Sequence, residues 1–266
     1  MSPNRKIHLA PQFRKIVIVG TGGTGSYLSQ GLAKLVVGYR LKIDVVLVDP
    51  DEIEEKNCSR QNFHAYEIGQ SKAEALAFRL NQQYGLGFAA VVSNGETFLG
   101  YRNNGNRDGN HANAVGAKYL DLTRLIITCV DSVEARKPYR DCGPWLDLGN
   151  GLETGQALYG ITFDKEKVCS ELKLWDTTPQ VTLLPNPYLL AGMAKRKNPK
   201  KKAPSCADHP FSEQGVFANE WAAAAGLTIL HQLLVKGQVT TPAIYFDTSK
   251  GLMMPQFITK DYLKGA

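Results

Sequence analysis

A glycine-rich turn near the N-terminus constrains this chain more than any other feature. It follows residues 15–20 (KIVIVG), a short β-branched run that ends in glycine and predicts a fully buried strand. Residues 23–37 then space their apolar side chains as a helix does, and residues 43–48 (IDVVLV) predict a second buried strand. A strand, a glycine turn, a helix and a strand make a βαβ unit with a right-handed crossover and parallel strands. This part of the chain is therefore predicted to be an α/β fold.

The turn itself indicates a phosphate-binding loop. Glycine lets the backbone turn sharply and approach a phosphate with no Cβ in the way. The helix that follows presents unpaired N–H groups and the positive end of its dipole. Asp49 ends the second strand, where a ribose hydroxyl needs an acceptor. These features predict a nucleotide site but fit NAD as well as ATP. The residues of the loop are Gly20, Gly22, Gly23, Thr24, Gly25 and Ser26.

Charged and amide side chains after the second strand favour a nucleoside triphosphate. A nicotinamide site needs no fixed arginine and lysine beyond the ribose acid, whereas β- and γ-phosphates carry charge that a glycine loop alone does not offset. Arginine offers a planar fork of donors and lysine a compact charge. A single cation of this kind is more often a surface salt bridge, but the ordered set favours the triphosphate. The set is Asp51, Asn57, Arg60, Gln61 and Lys72.

Asp131 directly follows residues 125–130 (LIITCV), which predict another buried strand. Ligands of doubly wound sheets bind beyond the carboxyl ends of strands, so an acid here is well placed to hold Mg²⁺ against a triphosphate. Asp131 could equally cap the short helix predicted over residues 133–141, or Ser132 could take that second role. Position alone leaves these interpretations open.

The remaining pattern extends the sheet and then becomes less regular. We predict a helix over residues 71–84, strands over 88–92, 145–148 and 156–163, and a flexible, Asn- and Gly-rich insertion over 100–116. Further on, we predict a long loop over about 176–209, an alanine-rich helix over 213–235, and a hairpin of residues 243–246 and 253–258. The predicted fold is a Rossmann-like, mostly parallel sheet flanked by helices, with antiparallel strands and a long crossover loop in the C-terminal half.

Four motifs follow one another between residues 15 and 136: G-x-G-G-x-G-S, D-x-D…N-x-x-R-Q, G-x-x-K-A and C-x-D. In this order they resemble the ThiF/MoeB/HesA superfamily of ubiquitin-activating-like enzymes. The sequence Ser205-Cys206-Ala207-Asp208, with Gln214 and Asn219, further resembles the PRTRC system ThiF family. The resemblance implies that residues 1–266 form one adenylation domain. Residues 15–150 would be its nucleotide-binding half, and residues 151–266 its substrate-binding half, with the crossover loop at about 176–209.

The resemblance also implies a role for each matching residue. Gly20 to Ser26 would form the phosphate loop and Asp49 would hold the ribose. Phosphates would be contacted by Asn57, Arg60 and Lys72, supported by Gln61, and Mg²⁺ would be bound by Asp131. Family members usually act as dimers, so a homodimer is expected. Arg5 is the candidate for an N-terminal arginine that reaches into the neighbour's site.

Enzymes of this kind use ATP and Mg²⁺ to adenylate a carboxylate, often the C-terminal glycine of a small ubiquitin-like protein with a β-grasp fold. The resemblance implies such a partner here. Cys206 is the candidate for a thioester, because the neighbouring basic residues lower the pKa of a thiol. It could equally be a remnant of a lost zinc site or an exposed thiol without a role. The chain has no CxxC pair, so structural zinc is not expected.

Composition and charge argue against several other classes of protein. No run of eighteen apolar residues predicts a membrane span. Five widely spaced cysteines argue against a disulfide framework, so a cytoplasmic location is expected. The net charge of +6 includes a basic run over residues 195–202, which a solvated loop explains but which would also suit nucleic acid. The alternatives are a tRNA-modifying cyclase of the same superfamily, an NAD-binding oxidoreductase, and a non-catalytic ATP-binding protein.

Overall fold

An eight-stranded sheet forms the centre of the molecule. The computed structural model describes residues 5–95, 122–191, 193 and 217–265. The strands of this part of the chain are β1 (Ile7–Leu9), β2 (Lys15–Val19), β3 (Asp44–Val48), β4 (Ala89–Val91), β5 (Arg124–Thr128), β6 (Trp145–Asn150), β7 (Thr154–Gly160), β8 (Gln180–Val181), β9 (Gln238–Val239), β10 (Ala243–Asp247) and β11 (Leu252–Gln256). The large sheet has the order β11-β10-β7-β6-β5-β2-β3-β4.

The relative direction of neighbouring strands in the large sheet changes at β6. From β4 to β6 every neighbouring pair is parallel, and β2 pairs with β3 on one side and β5 on the other. From β6 to β11 every neighbouring pair is antiparallel. We call these the parallel half and the antiparallel half. The architecture confirms the predicted fold class, a Rossmann-like sheet with antiparallel strands added in the C-terminal part.

Helices cover both faces of the sheet. They are α1 (Gly23–Gly38), α2 (Lys72–Tyr84), α3 (Val133–Arg136), α4 (Lys165–Lys173), α5 (Pro187–Leu190), α6 (Ala218–Leu234) and α7 (Lys260–Lys264). Because side chains alternate along a strand, Ile16 and Ile18 of β2 pack into the core under α1, α2 and α6. Val17 and Val19 pack into the smaller core on the opposite face. Burial of β2 on both faces explains why its sequence is continuously apolar.

Most predicted elements are present in the described residues, with shifts at their ends. The hairpin of β10 and β11 is confirmed. The helix predicted over 133–141 is only one α-helical turn, followed by a 3₁₀ turn at Lys137–Tyr139. The helix predicted over 213–235 is described from Ala218 to Leu234. The predicted insertion, the basic run and residues 194–209 of the predicted crossover loop lie outside the described residues.

Sequence patterns missed a second, three-stranded sheet with the order β8-β1-β9, and they missed α4, α5 and α7, of which α5 lies within the predicted long loop. These elements are short and bury few residues. In α4 only Val168 and Glu171 are buried, so no apolar period marks the helix; its Asp164 N-cap was the available signal. Among the described residues, no helix has the length and apolar character needed to cross a membrane.

Candidate nucleotide-binding site

A cavity of about 950 Å³ opens where the parallel strands β2, β3 and β5 end. The chain leaves β2 towards β3 on one side and returns to β5 on the other, which makes this the topological switch point. Doubly wound sheets bind their ligands at such a point. The predicted site residues that line this cavity are Gly20, Gly22, Gly23, Thr24, Asp49, Asp51, Arg60, Gln61, Lys72 and Asp131.

The glycine loop forms one wall, and its glycines have different reasons to be there. Gly20 has φ +86°, and a Cβ on it would lie 2.7 Å from the carbonyl oxygen of Cys129. A Cβ on Gly23 would lie 2.5 Å from the side chain of Asn219. A Cβ on Gly22 would meet only the Gln61 amide, at 3.7 Å. The fold therefore leaves open space at Gly22, beside the N-terminus of α1, where a phosphate would fit.

Three predicted residues lie behind this wall and do not line the cavity. A Cβ on Gly25 would lie 1.8 Å from the carbonyl oxygen of Gly20, so the turn requires glycine there. Ser26 is fully buried, and its hydroxyl donates to the Gly23 carbonyl and accepts from the backbone N–H of Asn62, both at 3.0 Å. Asn57 is also buried and accepts from the Glu54 backbone N–H at 2.9 Å. Direct contact with a ligand stays a prediction for these three.

Asp49 fastens the end of β3 to the glycine loop. One carboxylate oxygen accepts from the Thr21 backbone N–H at 2.6 Å and from the Thr21 hydroxyl at 3.1 Å. The other accepts from the backbone N–H of Asp51 at 2.9 Å. Burial raises the pKa of Asp49, while these N–H donors and Lys72 oppose the rise. The second oxygen retains acceptor capacity for a ribose hydroxyl.

Lys72 reaches the cavity from the first turn of α2. It is buried, with 8% of its side chain exposed, and its Nζ lies 3.0 Å from the carboxylate of the exposed Asp51. Asp51, predicted as a nucleotide contact, therefore holds Lys72 in this structure. An incoming phosphate could replace Asp51 as the partner of the buried Lys72 ammonium. The desolvation cost of this exchange would be small, because the displaced Asp51 carboxylate already faces solvent and stays hydrated.

Arg60 and Gln61 lie on the turn that crosses the top of the glycine loop. The side-chain oxygen of Gln61 is buried without a hydrogen-bond partner among the described residues. Such orphaned groups are rare in native proteins and call for an explanation. Because an amide can present either its donor or its acceptor end after a flip, Gln61 fits a polar ligand in this cavity.

Asp131 lies at the cavity wall beyond β5, and its side chain is exposed. The sequence left open whether Asp131 or Ser132 caps the following helix. In the structure Ser132 caps α3, because its hydroxyl accepts from the Ala135 backbone N–H at 3.1 Å. In the described residues no group of three or more His, Cys, Asp or Glu side chains could hold a metal ion by itself. One carboxylate is nevertheless the donor set that suits Mg²⁺ shared with phosphates.

Two asparagines of the C-terminal part, which sequence analysis did not assign to the site, complete the cavity. Asn219 on α6 accepts from Asn150 at 3.2 Å and from the Thr24 hydroxyl at 3.3 Å. Its amide donates to the carbonyl of Arg60 at 3.2 Å. Asn219 thus links the glycine loop, the end of β6 and the Arg60 turn. A signal for Asn150 was present, because it follows a predicted strand at its carboxyl end.

The antiparallel half supplies the opposite wall, which is mostly neutral. It consists of small and amide residues from β6 and β7 together with side chains of the β10–β11 hairpin. These are Gly149, Gly151, Thr154, Gly155, Gln156, Tyr245, Phe246, Asp247 and Met254. No pattern in the sequence indicated this wall, because its residues lie on two pairs of strands, β6–β7 and β10–β11, that are far apart in the chain.

Cys206 lies outside the described residues, so its predicted thioester role stays a prediction. The four described cysteines form no disulfide. Cys129 lines the cavity, but burial raises the pKa of its thiol far above the ordinary range, which makes it a poor nucleophile. The Arg5 guanidinium lies over the ring of Phe257 in the same chain, 3.6 Å from its centroid.

Comparison with known proteins shows which proteins this part of the chain is similar to. Residues 11–142 match the model of the ThiF family. The chain is 29% identical over 152 residues to "Ubiquitin-like modifier-activating enzyme 5" of Culex quinquefasciatus, covering 53% of this chain and 34% of that protein. It is 36% identical over 64 residues to "Adenylyltransferase and sulfurtransferase UBA4" of Yarrowia lipolytica, covering 24% of this chain and 15% of that protein. The match spans about a third of the first relative and less of the second.

Solved structures share the fold over more of the chain. Escherichia coli MccB with ATP superposes with a TM-score of 0.53 at 16% identity, covering 92% of this chain and 64% of that one. MccB with AMPCPP and MccA superposes with a TM-score of 0.52 at 17% identity and the same coverage. At this identity the likeness extends to the fold alone. Residues 11–142, which carry the glycine loop, the Lys72–Asp51 pair and Asp131, are the part of the chain that is similar to the ThiF family.

Proposed function

We propose that this protein is an ATP-dependent adenylyltransferase that activates the C-terminal carboxylate of a small ubiquitin-like protein. One observation carries the proposal. A single cavity brings together a glycine loop at a helix N-terminus, the buried Asp49, a buried Lys72 and the exposed Asp131. Relatives named as activating enzymes and as an adenylyltransferase support the same chemistry.

In the proposed complex the nucleotide lies across the switch point. Asp49 accepts a hydrogen bond from the ribose, and the open space at Gly22 takes a phosphate at the N-terminus of α1. Lys72 and Arg60 face the phosphates that leave as pyrophosphate. Lys72 gives up part of its attraction to Asp51 when the phosphates arrive. The two cations are supplied by different elements, so they can approach the leaving group from different sides.

The reaction itself needs neither an acid nor a base. A carboxylate oxygen of the substrate attacks the α-phosphorus of ATP, a new O–P bond forms, and the bond to the β-phosphate oxygen breaks. Pyrophosphate leaves with that electron pair, and the product is an acyl adenylate. Negative charge accumulates on the leaving group, so fixed cations provide most of the stabilisation. Positioning of the two reactants provides much of the remainder.

Mg²⁺ fits the proposed site through Asp131. When bound, Mg²⁺ would neutralise phosphate charge on ATP. The exposed Asp131 carboxylate provides one protein oxygen, and phosphates and water provide the others, which is the usual arrangement for this ion. The chain's own contribution is to hold that carboxylate at the edge of the cavity.

The substrate tail would lie along the antiparallel half. Its wall is mostly neutral, and its glycines, amides and hydroxyls allow an extended peptide to approach closely. The relative from Culex is named for a ubiquitin-like modifier. The same proposal includes three further parts. The acyl group is transferred to Cys206 as a thioester, the protein is a homodimer in which Arg5 acts on the neighbour's site, and residues 1–266 form one adenylation domain.

The test is the exchange of labelled pyrophosphate into ATP in the presence of Mg²⁺. We expect exchange only when the ubiquitin-like protein encoded nearest to this chain's gene is added, and none with that protein lacking its terminal glycine. Asp131→Ala should abolish it. If ATP binds but no exchange occurs, the proposed partner is wrong. The same assay with a short peptide would then test for another carboxylate substrate, and the assay with tRNA would test for a modified base. Binding of NAD in place of ATP would overturn the proposal altogether.

A further inference from the structure

A buried ion pair lies next to the Asp131 turn, and its arginine, Arg136, also lines the cavity. Nε of Arg136 is 2.7 Å from a carboxylate oxygen of Asp147. Asp147 is fully buried and Arg136 is 7% exposed. The second carboxylate oxygen of Asp147 is buried without a hydrogen-bond partner among the described residues. Buried pairs of this kind rarely add stability over apolar residues of the same size, and an unpaired oxygen makes the balance worse.

The other N–H donors of Arg136 bind two backbone carbonyls, one of them next to Asp131. One terminal nitrogen donates to the carbonyl of Ser132 at 3.1 Å, and the other donates to the carbonyl of Leu148 at 3.1 Å. Ser132 is the residue next to Asp131, on the turn that leaves β5. The planar guanidinium therefore ties this turn to the neighbouring strand β6 at three points.

A second layer fixes the carboxylate. The Thr128 hydroxyl donates to Asp147 at 2.5 Å, and the indole N–H of Trp145 donates to that hydroxyl at 2.8 Å. Thr128 ends β5, and Trp145 begins β6. All of these groups are buried. The network is continuous from Trp145 through Thr128, Asp147 and Arg136 to the backbone beside Asp131.

We infer that Asp147 and Arg136 are positioning residues, which hold the Asp131 turn so that its carboxylate stays at the cavity edge where Mg²⁺ and phosphates would lie. The inference rests on the proposed function for its consequence, but the positioning itself is a property of the protein alone. A buried ion pair lowers the stability of the fold relative to apolar residues, and in the proposed complex its benefit is that the Asp131 carboxylate is held beside the phosphates. Partners of this kind, which orient a metal ligand without touching the metal, strongly affect metal affinity.

Substitution of both partners separates positioning from folding. Asp147→Asn alone leaves a buried, uncompensated Arg136 and could prevent folding. The double variant Arg136→Met, Asp147→Leu removes both charges at similar volume, so it should fold at least as stably as the wild type. Arg136→Lys provides a second variant that keeps both charges but loses the three-point fork. Glu134→Gln with Lys137→Met is the matched control, because it removes the exposed pair of the same turn of helix.

The first readout is hydrogen exchange of residues 130–135 in the protein without nucleotide. We expect roughly tenfold faster exchange in the double variant, with the rest of the chain unchanged, and a smaller increase in Arg136→Lys. The control should exchange like the wild type. Unchanged exchange in the double variant would overturn the inference, whether or not the protein binds ATP.

The second readout is the Mg²⁺ concentration that half-saturates pyrophosphate exchange. We expect it to rise by roughly 10- to 100-fold in the double variant, the range for residues that orient metal ligands. A purely structural role would lower the amount of active protein without moving this midpoint, and that result would also overturn the inference. If the wild type shows no exchange at all, the proposed function fails, and the hydrogen-exchange comparison still decides the positioning role.

Discussion

The two walls of the cavity differ in what they contribute. The parallel half carries charge: Asp49 and Asp131 lie just beyond the ends of β3 and β5, whereas Arg60 and Lys72 come from the connection after β3 and from the first turn of α2. The antiparallel half carries glycines, amides, hydroxyls and a few apolar side chains, with Asp247 as its carboxylate. The first wall can stabilise a highly charged ligand, whereas the second can accept an extended chain. Under the proposed function, the first wall would carry the chemistry and the second would select the substrate.

Asn219 shows that the halves act together. It lies on α6, between the two regions in space, and hydrogen bonds to Thr24, Asn150 and the Arg60 carbonyl. Its side chain also explains the glycine at position 23, where a Cβ would lie 2.5 Å away. The glycine loop is therefore shaped in part by a residue almost two hundred positions further along the chain.

The largest effect expected from this comparison comes from Lys72. Both halves have a Lys–Asp pair at 3.0 Å, Lys72 with Asp51 and Lys250 with Asp247. Lys72→Met should reduce pyrophosphate exchange by roughly 100-fold or more, because a cation facing the leaving group is lost. Lys250→Met, which removes an exposed ammonium that does not line the cavity, should change it by no more than about twofold. Thermal unfolding should show that both variants are folded. Equal losses of pyrophosphate exchange in the two variants would show that Lys72 has no special role at the phosphates.

Gly22 offers a smaller effect within the parallel half. Gly22→Ala places a methyl group in the space left beside the N-terminus of α1, and its nearest neighbour, Gln61, is at an ordinary contact distance of 3.7 Å. We expect ATP affinity to fall roughly tenfold, the equivalent of about 1.4 kcal/mol. Gly38→Ala at the other end of the helix has no neighbour within 4 Å and serves as the control. Calorimetric titration with ATP measures both, and an unchanged affinity in Gly22→Ala would place the phosphates elsewhere.

The antiparallel half is tested at β11. Met254 lines the cavity, and Met253 is its neighbour on the strand, facing the opposite way. Met254→Ala should raise the KM for the polypeptide substrate by a few-fold, up to roughly tenfold, with the KM for ATP unchanged. Met253→Ala, which is exposed to a similar extent, should leave both constants near the wild-type values. A change in the KM for ATP would show that the two walls do not divide their roles.

The smallest effect concerns stability beside the antiparallel half, where β1 packs against β7. Burial lowers the pKa of His8, opposed by the Val181 carbonyl and by Glu171, and its ring lies 6.0 Å from that of the buried Tyr159. The folded state thus binds a proton less readily than the unfolded state. Stability should be constant above the ordinary histidine pKa of 6.5 and fall as the pH drops below it.

Denaturant unfolding across this pH range measures the effect. In His8→Gln the part of the acid-induced loss that begins near 6.5 should disappear, whereas His64→Gln, at an exposed site, should retain it. If both variants lose stability as the wild type does, His8 is not the titrating group.

Sequence patterns predicted the parallel half well. Strand β2, helix α1 and strand β3 lie within one residue of their predicted bounds, because continuous apolar runs and a helical period report burial directly. The short β1 contains one buried residue, His8, and no period marks it. The three-stranded sheet to which it belongs joins segments from both ends of the chain, so only tertiary contacts reveal it.

The sequence by itself indicated the glycine loop after β2, Asp49 after β3 and the cations Arg60 and Lys72 further along, since their order is one that local chemistry explains. Their roles in holding phosphates and a ribose stay predictions. Tertiary structure alone decided that Asp51 holds Lys72, that Ser132 rather than Asp131 caps α3, and that Asn219 closes the loop. It also paired Arg136 with Asp147 and assembled a neutral wall from distant strands. The physical reason is that local patterns record which residues are buried, whereas the partner of a buried polar group is chosen by whichever segment the fold brings within hydrogen-bonding distance.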